Sequence, residues 1–391
     1  MLIDHLTSSS NPDFRDINIF FYSLPVSIPI HRFFELVVLR IRSVCVNGTE
    51  FVFNNTTKSV VLRCFNLMIM WIRDYYDPLI VELNLEDIID VVADLLDIAH
   101  FFNLESISNQ LKQFCGSFIN NSKVSPSKSS IHLNQSKLID PRVRMIQFST
   151  FILSLKSTTE FCRHAATRIS GTAIDLTEGL PPKYLLFIAH LRSHNLDLFK
   201  RSSFSKLVAS FDNFAYWVPK FIGFHDKRYQ KKIFLFIVSL LFELEKCRNY
   251  HNLLAIVTGL RTWLKTHDKF LKYLSKENRL RLQQILSLMD VGKNFGNQRK
   301  LLIDLQSCYP SICIVPWIGL FLNDLLFVLI SKGGHEEPGV LNFSKYDKAY
   351  SIVEKFENLF NGSAAFKIQD CDVPELEYFD SFLDDAFMKN I

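Results

Sequence analysis

Eight cysteines and eleven histidines could supply metal or redox chemistry to this 391-residue chain, but their spacing argues against both. Cys45, Cys64, Cys115, Cys162, Cys247, Cys308, Cys313 and Cys371 include no C-x-x-C pair, so scattered buried thiols in a reducing compartment are the expectation. His190 and His194 stand four apart, yet no acidic third ligand follows and no H-E-x-x-H occurs, which leaves them on a helix surface. "VGKNFG" at 291–296 lacks the leading glycine and the trailing hydroxyl of a phosphate-cradling loop. The chain is therefore expected to work without a metal, a cofactor or a nucleotide of its own.

The charge pattern narrows the partners. A net charge of +4 is too small to imply nucleic acid, but it is unevenly spread. Arg261, Lys265, Lys269, Lys272, Lys276, Arg279 and Arg281 crowd one segment against Asp268 and Glu277. Such a run is a solvated helix face, or a surface for an acidic partner or anionic lipid head groups. The C-terminal end has the opposite sign, with Asp370, Asp372, Glu375, Glu377, Asp380, Asp384 and Asp385 against Lys389. Leu376, Phe379, Phe382 and Leu383 recur there at helical spacing, which predicts an amphipathic helix.

"ICIVPWIGLFLNDLLFVLI" at 312–330 is broken only by Pro316, Gly319, Asn323 and Asp324. Its length matches the roughly 20 residues that span a bilayer. A carboxylate that deep costs about 2.5–3.5 kcal/mol on insertion, so a core helix entered through an extended Pro segment is favoured. The shorter run "IFLFIVSLLF" at 233–242 is closed by Lys231, Lys232, Glu243 and Glu245 and reads as another core helix. Hydrophobic residues make up 48% of the chain, with 36 Phe but only 13 Gly and 13 Pro, which favours a packed all-α fold over a turn-rich β fold. No basic-then-apolar leader opens "MLIDHLTSSSNPDF", and a cytoplasmic protein is expected.

Helices must position these residues. Phe33, Phe34, Val37, Val38 and Ile41 line one face of a helix over 28–44. Val61, Phe65, Met68, Ile72 and Tyr76 predict a second, ended by Pro78, and Leu85 to Phe102 a third with Asn84 as N-cap. Phe33, Phe34, Phe65 and Trp71 are more large apolar side chains than three short helices readily bury among themselves, so some are expected to be shared with the rest of the chain. "NSKVSPSKSSIHLNQSKLID" at 121–140 has linker composition. Helical periodicity resumes at 142–170, "EGLPPKY" punctuates at 178–184, and one long helical region follows. The expected organisation is a module over 1–120, a linker and connecting helix over 121–177, and a larger domain over 178–391.

Four stretches in order resemble a known family. "NFAYWVPKFI" at 213–222, "CRNYHNLLAIVTGL" at 247–260, "VPWIGLFLNDLLF" at 315–327 and the "NFSK" that opens the helix at 342–345 are similar to the motifs of Ras-family guanine-nucleotide exchange factors of the Son-of-sevenless type. "LIDHLTSSSNPDFRDINIFFYSLPVSIPIHRFFELVVLRI" and "VLRCFNLMIMWIRDYYDPL" are similar to the Ras exchanger motif module that precedes such catalytic domains.

The resemblance implies an all-α catalytic domain with a protruding helical hairpin and a Ras-family small GTPase as partner, bound best without nucleotide. It implies no covalent chemistry and no cofactor, and membrane contact only by recruitment to the inner surface. Matched residue by residue, Leu326 falls at the apolar position that intrudes on the magnesium site, with Phe327 beside it. Asn249, Tyr250 and Phe295 match GTPase-contacting positions, while Trp217 and Phe343 match the fold's framework. Asn323 and Asp324 would cap or pin the hairpin base, with Asn342 and Lys345 at the foot of its second arm. The family's acidic residue four positions beyond the intruding leucine is replaced here by Ile330, and Glu336 and Glu337 follow only later. That departure leaves an exchange-deficient GTPase-binding scaffold as the alternative.

Overall fold

Apolar residues recurring every three or four positions turn almost all of the described chain into helix. The computed structural model describes residues 2–8, 13–28, 30–47, 50–51, 54–75, 85–113, 141–178, 184–201, 203–292, 294–310, 312–331 and 342–360. The first helices are α1 (Leu2–Leu6), α2 (Phe14–Ser27), α3 (Ile30–Cys45), α4 (Asn55–Asp74) and α5 (Leu85–Phe101). There follow α6 (Pro141–Ser154), α7 (Thr159–Glu178), α8 (Leu185–His194), α9 (Leu196–Arg201) and α10 (Ser203–Gly223). After them come α11 (Lys227–Lys246), α12 (Tyr250–His267), a 3-10 turn (Asp268–Tyr273) and α13 (Lys276–Ser287). The last described helices are α14 (Gly296–Cys308), α15 (Ile318–Ile330) and α16 (Phe343–Phe360). Apart from an isolated bridge between Asn249 and Val315, the strand pairing among the described residues is the one that joins Val46–Asn47 to Glu50–Phe51, so the fold is all-α as composition implied.

The chain forms two compact units. The first takes residues 1–134, 183–193 and 325–351; the second takes 135–182, 194–324 and 352–391. In the first, α3 buries Ile30, Phe33, Phe34, Val37, Val38 and Ile41, the stripe that its periodicity predicts. A capping box at Asn54 and Thr57 opens α4, whose Trp71 meets Phe34 edge-on at 5.6 Å. Phe33, Phe34, Phe65 and Trp71 are all fully buried in one cluster whose buried members lie between Leu6 and Leu111. α1, α2 and the helical stretch at 105–113 also contribute to this cluster, so more than three helices enclose these side chains.

In the second unit α11 is the central helix, with Ile233, Phe234, Phe236, Ile237, Leu240 and Leu241 buried. Phe148 of α6 packs on Phe221 at 5.5 Å and on Phe236 at 6.1 Å, and the Cys162 thiol of α7 donates to the Phe236 carbonyl. The Lys232 ammonium donates to the Leu153 and Leu155 carbonyls at 2.7 and 2.8 Å, satisfying the C-terminal end of α6. Helix α12 packs tightly on α10 at Gly259, where an added Cβ would lie 2.8 Å from the Val218 Cβ. Only a residue without a side chain permits that contact.

The expectation of buried thiols holds for four of the six described cysteines, since Cys247 is half-buried and Cys308 exposed. Cys45, Cys64, Cys162 and Cys313 are buried and unbridged, and burial pushes the Cys64 thiol up to about 12. No group of three or more metal-ligating side chains occurs among the described residues. No helix among them is long and apolar enough to cross a membrane, and the apolar run at 312–330 yields a helix of 13 residues. Pro78, Asn84, the 121–140 linker and the acidic amphipathic segment over 370–389 lie outside the described residues.

Two outcomes follow for stability. Gly259→Ala should lower the midpoint of urea unfolding by the equivalent of about 1–3 kcal/mol, the usual cost of overpacking a close helix contact. His251 is wholly buried; its Nε2–H donates to the Leu207 carbonyl at 3.0 Å, and burial pushes its pKa down to about 4. Because the folded value lies below the unfolded one, the unfolded chain takes up the proton first as pH falls. The contribution is thus complete above about pH 6.5, costs about 2 kcal/mol by pH 5, and is fully lost near pH 4. Unfolding titrations of the wild type and His251→Gln at pH 7 and pH 5 check this, with a flatter profile expected for the variant.

Candidate functional site

The extended segment before α15 is held on both sides by backbone hydrogen bonds. Arg248, with φ of 55°, turns the chain so that its carbonyl accepts from the Val315 N–H at 3.1 Å. The Tyr250 and His251 N–H groups, unpaired at the start of α12, both donate to the Val315 carbonyl at 2.9 and 3.1 Å. On the other side the Ile314 N–H donates to the Leu359 carbonyl of α16 at 3.0 Å. Phe321 and Phe356 meet at 5.1 Å and close the foot of both helices.

Asn249 is the polar centre of this joint. Its Oδ1 accepts from the Asn252 N–H at 3.0 Å, and its Nδ2 donates to the Ser170 hydroxyl at 3.2 Å and to the Asn252 Oδ1 at 3.0 Å. It is 0% exposed and Tyr250 4% exposed, and burial pushes the Tyr250 phenol up to about 12. The expectation that these two contact a GTPase is corrected: both lie inside the second unit, where an N-cap and its neighbour are needed to anchor α12.

Trp317 lies flat against the start of α15. A Cβ at Gly319 would lie 2.6 Å from its indole, so that glycine is what lets the ring settle there. Phe211 stacks on Trp317 at 5.4 Å, and Phe295 meets it edge-on at 5.2 Å. Phe295 and Asn294 both take left-handed backbone angles, φ 60° and 53°, a conformation that costs about 1–2 kcal/mol per non-glycine residue. The strain is held by Arg299, whose Nε donates to the Asn294 carbonyl at 2.8 Å while its two terminal nitrogens donate to the Asp324 carboxylate, each at 2.7 Å. This forked pair is half-buried, where charge-assisted bonds are strongest.

Asn323 and Asp324 are not helix caps, since α15 begins at Ile318 and both lie within it. Asp324 pairs with Arg299, and Asn323 is exposed. Arg299 was not singled out from the sequence, because it lies far from Asp324 along the chain. The one available cue was that a carboxylate inside an apolar helix needs a cationic partner.

Beyond Asp324 the helix turns apolar residues outward. Leu325 is buried and Leu326 half-buried, but Phe327 is 71% and Ile330 64% exposed. Asn323, Phe327 and Ile330 share one face by their four- and three-residue spacing. Glu336 and Glu337 lie outside the described residues.

The returning helix α16 is opened by Asn342, whose side chain and carbonyl both accept from the Lys345 N–H at 3.1 Å, as the N-F-S-K spacing suggested for a helix foot. Within the first unit, α16 is held by α2. The Arg15 guanidinium donates to Asp347 at 2.8 Å and to the Ser351 hydroxyl at 3.2 Å, and lies 5.1 Å over the Tyr350 ring. Asn18 links Tyr350 to Tyr75: its Nδ2 donates to the Tyr350 hydroxyl at 3.4 Å, and its Oδ1 accepts from the Tyr75 hydroxyl at 2.8 Å. The sequence offered no sign of this clasp, which joins residues from opposite ends of the chain.

Comparison with known proteins adds a likeness. Residues 175–347 match the profile of the RasGEF domain. "Ras guanine nucleotide exchange factor A" of Dictyostelium discoideum is 22% identical over 368 residues, 90% of this chain and 56% of that protein. "Guanine nucleotide-releasing factor 2" of Drosophila melanogaster is 25% identical over 186 residues, 47% of this chain and 11% of that protein. "Rap guanine nucleotide exchange factor 1" of Homo sapiens is 26% identical over 156 residues, 40% of this chain and 14% of that protein. The chain thus matches from about a tenth to just over half of the length of these relatives. The ordered motifs, the all-helical fold and the profile match agree in likening residues 175–347 of this chain to a RasGEF domain.

Proposed function

We propose that the chain is a guanine-nucleotide exchange factor for a Ras-family small GTPase, and that α15 and α16 form the hairpin that opens the nucleotide site. The observation that carries the reading is the outward apolar face of α15 within the stretch that matches the RasGEF profile, where Phe327 and Ile330 stand mostly in water. A patch of that kind on a helix face marks a surface kept for a partner. Leu326 is the residue that intrudes on the magnesium site, Phe327 and Ile330 contact the GTPase beside it, and Phe295 presents its ring from the strained turn. The Arg299–Asp324 pair fixes the hairpin base.

The factor makes and breaks no covalent bond. It binds the nucleotide-free GTPase better than the loaded one, and because coupling is reciprocal it weakens nucleotide binding by the same factor. Residues 1–120 act as the exchanger-motif module, 121–177 connect it, and 178–391 carry exchange. The clasp between α2 and α16 supports a bracing role for that module. The factor works in the cytoplasm and reaches the inner membrane surface by recruitment. Ile330, standing where the family has an acid, supports a second reading, a scaffold that binds the GTPase without releasing its nucleotide.

The test is a panel of Ras-like, Rap-like and Ral-like GTPases loaded with a fluorescent nucleotide. Faster release from at least one, with a stable pair when nucleotide is removed, is the expected result. Binding without acceleration selects the scaffold, and no preference for any nucleotide-free GTPase sinks both readings. Leu326→Glu should cut the stimulated rate at least about tenfold, a loss of roughly 1.4 kcal/mol in transition-state stabilisation, with little change in melting temperature. Ile330→Glu should leave the rate unchanged or raise it. For the brace, Arg15→Ala and Asp347→Ala should each slow exchange by about fivefold, roughly 1 kcal/mol of coupling, and the double variant by no more than either alone. Additive losses would show that the two side chains do not act as a pair.

A further inference from the structure

The basic segment noted in the sequence gains unexpected neighbours in the second unit. Tyr216 and Lys220 on α10 and Phe224 just past its end follow one another at four-residue spacing, and the two aromatics are 53% and 46% exposed. The chain then turns into α11, whose first residues include Lys227, Arg228 and Lys231, all exposed. The 3-10 turn packs beside α11, and its Lys269 and Lys272 eclipse each other at three-residue spacing. Contacts join these elements: Lys231 lies 4.8 Å and Lys272 5.2 Å from the centre of the Tyr273 ring. Against these cations the same surface carries Asp226, 3.8 Å from Arg228, and Asp268.

We propose that this surface docks on an anionic lipid bilayer, with the lysines and arginine facing head groups and the aromatic edges seated at head-group depth. Charge complementarity selects an anionic partner, and the aromatic geometry selects which one. Lys220 covers the Tyr216 ring at 4.0 Å, Arg228 covers Tyr229 at 4.9 Å, and Lys231 and Lys272 both lie over the Tyr273 ring. Ring faces already covered by cations are poorly placed to stack nucleobases, which single-stranded nucleic acid requires. Amphipathic rings with exposed edges, set among lysines, are what a membrane–water interface accepts. Each cation near such a surface is worth about fivefold in partitioning. The surface uses none of the residues assigned to the GTPase, so it would add membrane contact rather than exchange.

The test is co-sedimentation of the full chain, without any GTPase, with vesicles of phosphatidylcholine alone or mixed with phosphatidylserine. Binding to the mixed vesicles at about 0.1 M salt, lost at about 1 M and absent from neutral vesicles, is expected. Lys231→Glu/Lys272→Glu should weaken binding at least about tenfold, while Lys206→Glu, at the other end of α10, should not. Melting curves and exchange on a soluble GTPase should be unchanged in all three proteins. Phe224→Ala should weaken binding without altering its salt dependence. Equal binding to neutral and anionic vesicles, an equal effect of Lys206→Glu, or no sedimentation of the full chain overturns the proposal. So does tighter retention on single-stranded RNA than on vesicles, which would make the partner a nucleic acid.

Discussion

The pairing of Val315 with the start of α12 is the contact on which the functional helix depends. One carbonyl accepts two otherwise unpaired helix amides, and the N–H of the same residue donates to the Arg248 carbonyl, so five backbone groups that would be costly to bury alone satisfy one another through three hydrogen bonds. Asn249 completes the joint from its side chain, and Leu359 holds Ile314 from the opposite side. The entry to α15 is anchored here, before any residue of its exposed face is reached. Trp317, seated on Gly319, and the Arg299–Asp324 fork then remove the remaining freedom of its first turns.

Much of this was legible in the sequence because it depends on local periodicity. The buried stripe of α3 and the extended entry to a core helix after Pro316 needed only the spacing of apolar residues and one proline. Roles that depend on which way a residue faces were harder to read. Asn249 and Tyr250 match a motif, but a motif does not say whether its residues look outward or inward, and here burial keeps both inside. Asp324 shows the second limit. Its partner is separated by a helix and a loop, and no local pattern distinguishes a carboxylate that caps a helix from one that pairs across a core. The α2 clasp on α16 is the extreme case, since Arg15 and Asp347 share no sequence neighbourhood at all.

Two exposed surfaces stand out, and they differ in kind. Phe327 and Ile330 form an apolar stripe without charge, suited to burial against a shaped protein partner. The tyrosines of the surface around Lys231 are each attended by cations, suited to a broad anionic layer. The first surface stands on α15, fixed by an anchored joint; the second straddles helix ends and a 3-10 turn, where long side chains can adjust. Precision is concentrated at the surface that must fit a shape.

The anchoring of Val315 also has a consequence for how the chain is made. Residues 248–251 leave the ribosome well before Val315, and Leu359, which holds Ile314, later still. Until then the start of α12 has no carbonyl to accept its first amides, and the Arg299–Asp324 fork cannot close over the left-handed turn at Asn294 and Phe295. The second unit therefore completes its fold only after Leu359 has emerged, through contacts of high sequence separation, which form slowly. A chain interrupted before α16 would carry an unfinished joint and an unheld α15, with apolar side chains in water that holdase chaperones and proteases recognise.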